Sequence, residues 1–302
     1  MEDSITKDLV DAYENAVGKP VAWVYFSHDW FNGEEFPWDK VSWIKERGAV
    51  PFIRLFPVSS EEQNTAEPHY TLEAIAAGDF DDVLIAWAQE AIKFDSPLIV
   101  EFGTEVNGEW FTWNGVWHGG EDGPAVFRAA YRHIVRVTSD EGASQITWVF
   151  HVNNDSVPNE DWNSIAEYYP GDDAVDWVGT SAYGAQTPMA DEWPVFAQMV
   201  DSVSLVLAEV APGKPQFVFE FGVTSNNPLG NPVQWADEAL APLIGGRWPE
   251  IKGFSWWNEA WENDEDPAHD TDMRVQSVPG MAKVFHDRLG SDAVIGRPLL
   301  DE

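Results

Sequence analysis

Two glutamates follow strongly apolar runs that are typical of buried β-strands. Glu105 comes shortly after the run at residues 98–103, and Glu220 lies within the run at residues 217–222. A carboxylate at the exit of a buried strand is costly unless its charge is used there. Two such carboxylates can hydrolyse a glycosidic bond with retention, one attacking the anomeric carbon and one protonating the leaving oxygen. We assign Glu220 as the nucleophile and Glu105 as the acid/base.

Tryptophan is unusually common near the same predicted strand ends. The chain has 17 tryptophans in 302 residues. Those in loops or near strand ends are Trp30, Trp110, Trp113, Trp117, Trp193, Trp257 and Trp261. An aromatic face exposed in a cleft suits the flat, partly apolar face of a sugar ring, although any single tryptophan could instead pack in the core. His28 and His151 also lie at predicted strand ends. Each either contacts a sugar hydroxyl or is a structural histidine.

The charge composition is strongly acidic. The chain has 17 Lys+Arg against 52 Asp+Glu, a formal net charge of -35. This charge repels nucleic acids and anionic membranes, so we expect neither as a partner and favour a neutral polysaccharide or oligosaccharide substrate. The alternative origin of the charge is an adaptation of solubility, for example to high salt.

Metal and cofactor chemistry is not indicated by the residue types. Without cysteine, the chain has neither disulfides nor thiolate metal sites. The acidic run at residues 262–272 offers oxygen ligands for Ca²⁺, but it lacks EF-hand spacing, and we favour a solvated loop. We therefore expect no cofactor, no metal and a monomeric protein.

Strand-like and helix-like segments alternate along the whole chain. The predicted strands are residues 21–26, 50–56, 98–103, 146–152, 177–182, 216–221 and 251–257. The predicted helices are residues 5–17, 38–47, 79–94, 124–140, 163–168, 192–210, 232–245 and 278–289. Short buried strands that alternate with helices indicate a parallel sheet with helical crossovers. We predict an α/β protein with one (β/α)8 TIM-barrel catalytic domain over residues 1–302.

One strand is missing from this pattern, because a closed barrel needs eight and seven are recognisable. The chain opens on a helix candidate, so the first strand is absent from the N-terminus. We hypothesise that residues 293–299 supply it, as in a circular permutation. The alternative is an upstream truncation with a disordered tail.

The predicted strand ends also bring two opposite charges together. In a (β/α)8 barrel the active site lies at the C-terminal ends of the strands, where side chains alternate inward and outward. Glu101 and Glu105 should face the interior, and so should Arg54 on the preceding strand. We expect Arg54 and Glu101 to form a buried ion pair, since either charge alone would be uncompensated. Removing both should then cost less stability than removing Arg54 alone.

Several motifs together carry a family resemblance. They lie at residues 19–23, 29–30, 48–51, 105–113, 147–150, 169–183, 220–222 and 254–258. Over nearly its whole length the chain resembles glycoside hydrolase family 26, the endo-β-mannanase family of the retaining (β/α)8 clan. The resemblance implies that Glu105 is the acid/base, that Glu220 is the nucleophile and that Tyr183 hydrogen-bonds the nucleophile.

The resemblance also implies the residues that bind substrate. It places Trp110 and Trp113 at aromatic subsites and Trp257 beneath the reacting sugar. Trp30 and Asn107 lie within the matching motifs. With His151, these residues complete the substrate-binding set that we predict.

Two departures from the family leave the sugar open. Thr104 stands where the family usually has a histidine that binds sugar near the cleavage point, and Glu101 stands where it tends to have arginine. We predict a retaining endo-β-glycanase, with β-mannan as the leading substrate. The alternatives are a lichenase-like β-glucanase, a β-1,3-xylanase, an inverting hydrolase or a non-catalytic carbohydrate-binding protein. The first residues lack the features of a signal peptide, and we nevertheless expect a secreted protein.

Overall fold

A computed structural model describes residues 5–298 of the chain. The helices are α1 (Lys7–Val17), α2 (Trp38–Glu46), α3 (Leu72–Ala77), α4 (Asp81–Phe94), α5 (Gly123–Asp140), α6 (Ile165–Tyr168), α7 (Phe196–Val210), α8 (Pro232–Ile244) and α9 (Met281–Leu289). The strands are β1 (Trp23–Asp29), β2 (Val50–Phe56), β3 (Leu98–Phe102), β4 (Ile146–Asn153), β5 (Trp177–Ser181), β6 (Gln216–Phe221), β7 (Ile251–Trp256), β8 (Ala260–Trp261) and β9 (Thr271–Asp272). The predicted strands and long helices are confirmed, and α3 and the β8–β9 hairpin are additions.

Seven strands form one sheet in chain order, from β1 to β7. Its strands are parallel, as the pairs β1–β2, β2–β3, β3–β4 and β6–β7 illustrate. The register aligns Ser27 with Arg54, Arg54 with Glu101, and Glu101 with Val149. Directly paired residues of neighbouring parallel strands point to the same face. The side chains of Arg54 and Glu101 therefore lie next to each other.

The chain divides into two compact units. The first contains Trp23–Gly179 and Val206–Lys214, and the second contains Ile5–Ala22, Thr180–Leu205 and residues 215–298. A single domain over residues 1–302 stays a prediction. Within residues 5–298, no helix is both long and apolar enough to cross a bilayer.

In the first unit, α5 packs its apolar face on the strand that leads to the predicted acid/base. Its buried residues recur at helical spacing and include Phe127, Tyr131 and Ile134. The Phe127 ring stacks on Phe102 of β3, with ring centroids 5.7 Å apart. This packing leaves no room beyond β3, because a Cβ atom at Gly103 would lie 2.3 Å from Phe127 Cε2. Gly103 also has φ +78°, a left-handed conformation that favours glycine.

In the second unit, the two ends of the described chain are fastened to each other. The Lys19 ammonium group donates to Leu289 O at 2.6 Å, at the end of α9, and to Ser291 O at 3.2 Å, just beyond it. Tyr13 of α1 meets Phe285 of α9 edge-on, with ring centroids 6.4 Å apart. A cation at a helix C-terminus satisfies carbonyls that have no partner within the helix.

The C-terminal tail does not form the strand that we hypothesised. Residues 293–298 follow turns and bends and contain no β-ladder, and residue 299 lies outside the described residues. The tail does run beside residues 19–21, where Arg297 Nη1 lies 3.4 Å from Val21 O. The tail therefore lies against residues 19–21 as turns and bends, and a tail-supplied first strand is not confirmed.

Candidate active site

Glu101, the penultimate residue of β3, is the centre of a buried polar cluster. Its side chain is 0% exposed. The Tyr25 and Thr104 hydroxyls both donate to Glu101 Oε1. His151 Nδ1 lies 2.9 Å from Oε2, and Arg54 Nε lies 3.6 Å from Oε1. The predicted Arg54–Glu101 ion pair is confirmed, but it is one part of a larger network that we call the Glu101 cluster: Tyr25, Arg54, Glu101, Thr104 and His151.

The cluster keeps the Glu101 carboxylate ionised. Burial by itself would raise the pKa of Glu101, because it penalises the charged form. The charge and hydrogen bond of His151, the charge of Arg54 and the hydrogen bond from Thr104 outweigh burial and lower the pKa of Glu101 below its ordinary value. Because its carboxylate is buried and bound by these partners, we assign Glu101 a structural role.

Glu105, the predicted acid/base, lies just beyond the end of β3 in an unusual backbone conformation. Its φ is 48°, in the left-handed region, although it is not a glycine. The residue is 8% exposed, and its Oε2 accepts a hydrogen bond from Trp110 Nε1 at 2.8 Å. Trp110 is the one predicted tryptophan of this segment that contacts a predicted catalytic carboxylate.

A buried amide network holds the segment that follows Glu105. Asn114 Nδ2 donates to Val106 O at 2.9 Å and to Asn163 Oδ1 at 3.0 Å. Asn163 Nδ2 donates to Asn107 O at 2.9 Å, and the Tyr168 hydroxyl donates to Asn163 Oδ1 at 2.7 Å. Asn114, Asn163 and Tyr168 were not among the predicted site residues, since no local pattern links residues so far apart in the chain.

Asn107, predicted to bind substrate, belongs to this scaffold. It is fully buried, and its Nδ2 donates to Asn153 O at 3.0 Å and to Ser156 Oγ at 3.2 Å. Its Oδ1 accepts from Asn153 N at 2.8 Å. These contacts favour a structural role, because both ends of the amide are bound to the end of β4 and to the loop that follows it.

The remaining residues of the first unit that we predicted to bind substrate are buried. Trp30 and Trp113 are 3% and 2% exposed. Trp113 stacks on Phe111 with centroids 4.8 Å apart, and Trp30 packs edge-on against Tyr70 at 5.0 Å. Their burial argues against direct contact with a sugar. His151 is also buried, and its ring contacts Glu101 in place of solvent.

A cleft in the first unit opens beside Trp110. Its empty volume is about 440 Å³, open to solvent. The cleft is lined by Ser27, Asp29, Phe31, Arg54, Phe56, Val58, Ser60, Glu61, Glu62, Gln63, Trp110, Phe111 and Thr112. Aromatic rings with carboxylate and amide groups at the rim suit a neutral, hydroxyl-rich ligand.

One wall of this cleft is the loop between β2 and α3. The buried Glu67 carboxylate shapes it, accepting from Ser59 N at 2.9 Å, His69 N at 2.8 Å and Tyr70 N at 3.0 Å. Asn64 N donates to Trp110 O at 2.9 Å and ties the wall to the segment after Glu105. The loop is therefore held at both its base and its middle.

Glu220, the predicted nucleophile, is the penultimate residue of β6 in the second unit. It is 5% exposed, and its Oε2 accepts a hydrogen bond from the Tyr183 hydroxyl at 2.8 Å. Tyr183 follows β5, and the backbone bonds Ala182 N to Glu220 O and Gly184 N to Gly222 O, each 2.9 Å, place it alongside Glu220. The predicted Tyr183–Glu220 contact is present.

Trp257 stands next to this strand end. Its backbone N donates to Phe221 O at 2.8 Å, and its side chain is half-buried. Gly222 allows the close approach here, since a Cβ atom there would lie 2.7 Å from Met273 Sδ. Of the tryptophans in the predicted substrate-binding set, Trp257 is the one that lies in the second unit, and it is partly exposed.

The acidic loop that follows binds its own groups. Asp264 accepts from Asp266 N at 2.7 Å and contacts His269 Nδ1 at 2.8 Å, and Asp266 accepts from Ala268 N at 3.0 Å. Asp272 pairs with Arg274 at 2.8 Å. These acids are bound by groups of the same segment, and the solvated loop that we favour stays a prediction.

Comparison with known proteins gives these sites a context. A sequence profile of glycosyl hydrolase family 26 matches residues 70–225, more than half of the chain. Endoglucanase H of Acetivibrio thermocellus is 27% identical over 230 residues, which is 75% of this chain and 24% of that protein. A beta-1,3-xylanase of an Alcaligenes species is 25% identical over 234 residues, which is 72% of this chain and 48% of that protein. The chain spans about a quarter and about half of these relatives.

Solved structures show the same fold at low sequence identity. A double mutant of an endo-beta-1,4-mannanase from Cellulomonas fimi gives a TM-score of 0.67 at 18% identity, covering 93% of this chain and 66% of that one. A beta-mannanase from Bacteroides ovatus gives 0.65 at 15% identity, covering 94% and 83%. With seven parallel strands in chain order, these likenesses confirm the (β/α)8 barrel class. Through its profile match, the chain belongs to glycosyl hydrolase family 26.

Proposed function

We propose that the protein is a retaining endo-β-glycanase in which Glu220 is the nucleophile and Glu105 the acid/base. The observation that carries the proposal is the hydrogen bond from the Tyr183 hydroxyl to the Glu220 carboxylate, 2.8 Å long at a buried strand end. A tyrosine donor on one carboxylate oxygen fixes the orientation of the Glu220 side chain at the strand end. A protein that only binds sugar has no need of a buried, oriented carboxylate.

In the first step Glu220 attacks the anomeric carbon while the bond to the leaving sugar breaks. Glu105 donates its proton to the departing oxygen, so that a neutral alcohol leaves and a glycosyl-enzyme remains. In the second step Glu105, now a carboxylate, takes a proton from water, and the resulting hydroxide displaces Glu220 from the sugar. No metal or cofactor is needed for either step.

The cleft beside Trp110 receives the sugar on the leaving-group side in this proposal. Trp110 both donates to Glu105 and lines the cleft. A sugar resting there would have its glycosidic oxygen close to the proton donor. Trp257 is the proposed aromatic contact on the Glu220 side.

The proposed substrate is a neutral β-linked polysaccharide, with β-mannan leading and β-glucan or β-1,3-xylan as alternatives. The solved neighbours are described as mannanases, whereas the sequence relatives are described as an endoglucanase and beta-1,3-xylanases. The net charge of -35 disfavours polyanions such as polyuronates. We propose that the protein acts outside the cell, where such polymers occur, and as a monomer.

The test compares the wild-type protein with Glu220→Gln and Glu105→Gln on dyed β-mannan, mixed-linkage β-glucan and β-1,3-xylan. We expect one polymer to be cleaved and both variants to lose at least about a thousandfold in kcat, because each removes an essential group. The exposed Glu209→Gln is the matched control and should keep full activity.

Two further readouts separate the rival functions. NMR of the first product should show the β-anomer, whereas the α-anomer would identify an inverting enzyme. Equal, near-zero rates for wild type and variants on all three polymers would favour a carbohydrate-binding protein.

A further inference from the structure

We propose that three members of the Glu101 cluster, Glu101, His151 and Thr104, position Glu105, with Thr104 as the direct link to the acid/base. This inference rests on the proposed role of Glu105. It adds residues that act by holding the backbone from which the proton donor extends.

The need for such a device follows from the conformation of Glu105. A glutamate with φ 48° sits in a region that L-residues seldom adopt. Such a conformation persists only where the surrounding structure determines it, and it concentrates at functional sites. The contacts of the two neighbouring residues show how it is held.

On the N-terminal side, Thr104 is fixed through both of its polar groups. Its hydroxyl donates to Glu101 Oε1, and its carbonyl accepts from Trp113 Nε1 at 2.8 Å. Thr104 is buried, so neither bond competes with water. The peptide that enters Glu105 therefore has a defined orientation.

On the C-terminal side, Val106 is fixed in the same way. Its N–H donates to His151 O at 3.3 Å, and its carbonyl accepts from Asn114 Nδ2 at 2.9 Å. The ring of this same His151 contacts Glu101 Oε2 at 2.9 Å. Both neighbours of Glu105 are thus tied to one pair, Glu101 and His151.

The consequence is a rigid turn between two anchored peptides, with the Glu105 side chain directed at Trp110 Nε1. Loss of the Thr104 hydroxyl frees the entering peptide and lets φ of Glu105 return to the common region. Protonation of the leaving oxygen then becomes less efficient, while nucleophilic attack is untouched. Thr104, Glu101 and His151 are positioning residues in this scheme.

The test uses leaving groups that differ in their need for a proton. We compare kcat/KM on the cleaved polymer with kcat/KM on the 2,4-dinitrophenyl β-glycoside of its disaccharide, whose leaving group departs without protonation. The variants are Thr104→Val, which removes the hydroxyl at nearly constant shape, and Thr104→Ser, which restores it. The control is Thr138→Val, a buried threonine whose hydroxyl bonds only within α5.

For Thr104→Val we expect kcat/KM on the polymer to fall about 10- to 100-fold and kcat/KM on the dinitrophenyl glycoside to change less than about threefold. Thr104→Ser should recover most of the polymer activity, and Thr138→Val should lower neither value. Equal losses on both substrates, or none on either, would overturn the inference. Full activity of Glu105→Gln on the polymer would instead overturn the proposed function.

A readout independent of activity is a crystal structure of Thr104→Val. We expect φ of Glu105 to leave the left-handed region and the 2.8 Å contact between Trp110 Nε1 and Glu105 Oε2 to lengthen. An unchanged φ and an unchanged contact would overturn the inference whatever polymer the enzyme cleaves.

Discussion

The ends of β3 and β6 carry the same three residues with different outcomes. Glu101-Phe102-Gly103 and Glu220-Phe221-Gly222 each place a glutamate as the penultimate residue of a strand. At β3, Glu101 is bound within a buried ionic cluster. The carboxylate that we propose as functional, Glu105, follows four positions later. At β6 the glutamate itself accepts the Tyr183 hydroxyl. The shared motif therefore does not identify a nucleophile. The hydrogen-bond donors around each glutamate determine its role.

The glycines of the two motifs explain part of this difference. Gly103 has φ +78° and turns the chain sharply past the Phe127 ring. Gly222 has no such conformation, and it makes room for Met273 instead. Only β3 therefore ends in a turn that can present a second glutamate.

The largest expected effect tests whether Glu101 is structural. Arg54→Leu should destabilise the protein by about 3–5 kcal/mol, because it weakens the compensation of a buried charge. The double variant Arg54→Leu/Glu101→Leu should be at least as destabilised, because it leaves the buried donors of Tyr25, Thr104 and His151 without their acceptor. Urea unfolding measures both.

This expectation revises the one drawn from the ion pair alone, in which removing both charges was less harmful than removing Arg54. Recovery of stability in the double variant would show that the pair works independently of the other three donors. The two ends would then be more alike than we infer.

A smaller effect compares one tyrosine at each end. Tyr183→Phe should lower kcat/KM about 10- to 100-fold, since a hydrogen bond to a charged group contributes about 1.5–3 kcal/mol. Tyr25→Phe removes a donor from Glu101 and should lower the unfolding free energy while leaving kcat/KM within a few-fold. A large loss of kcat/KM in Tyr25→Phe, with a loss of stability alone in Tyr183→Phe, would contradict the division between a structural and a catalytic glutamate.

The smallest expected effect concerns pH. Glu101 has a pKa lowered from the ordinary value of 4.5, so its ionised form stabilises the folded state above about pH 4.5. That contribution is lost as the pH falls through the folded-state pKa. Glu101→Gln cannot titrate, and its unfolding free energy should therefore fall less steeply than that of wild type in acid. Parallel curves for the two proteins would show that this carboxylate is not linked to folding.

The strands and the charge pair were predictable because they rest on local signals. Apolar runs bounded by turn residues mark the seven strands, and residue parity places Arg54 beside Glu101. Tyr183 opposite Glu220 came from the family resemblance, and the structure has that contact.

The scaffold around Glu105 was not predictable, since it depends on contacts between distant segments. Asn114 meets Asn163 across 49 positions, and single asparagines carry no periodic pattern. Trp30 and Trp113 are buried because neighbouring rings cover them, which composition cannot distinguish from exposure in a cleft. Residues 293–298 are apolar enough for a strand, yet they lie against residues 19–21 as turns.

The wall beside Trp110 is fastened at its two ends by one acid and at its middle by a backbone bond to Trp110. Glu67 accepts from three backbone amides at the two ends of residues 59–70, and these bonds do not involve the side chains between them. Substitution of residues 60–63, which line the cleft, is accordingly a way to change the sugar preference, in evolution or by design, as long as Glu67 is kept.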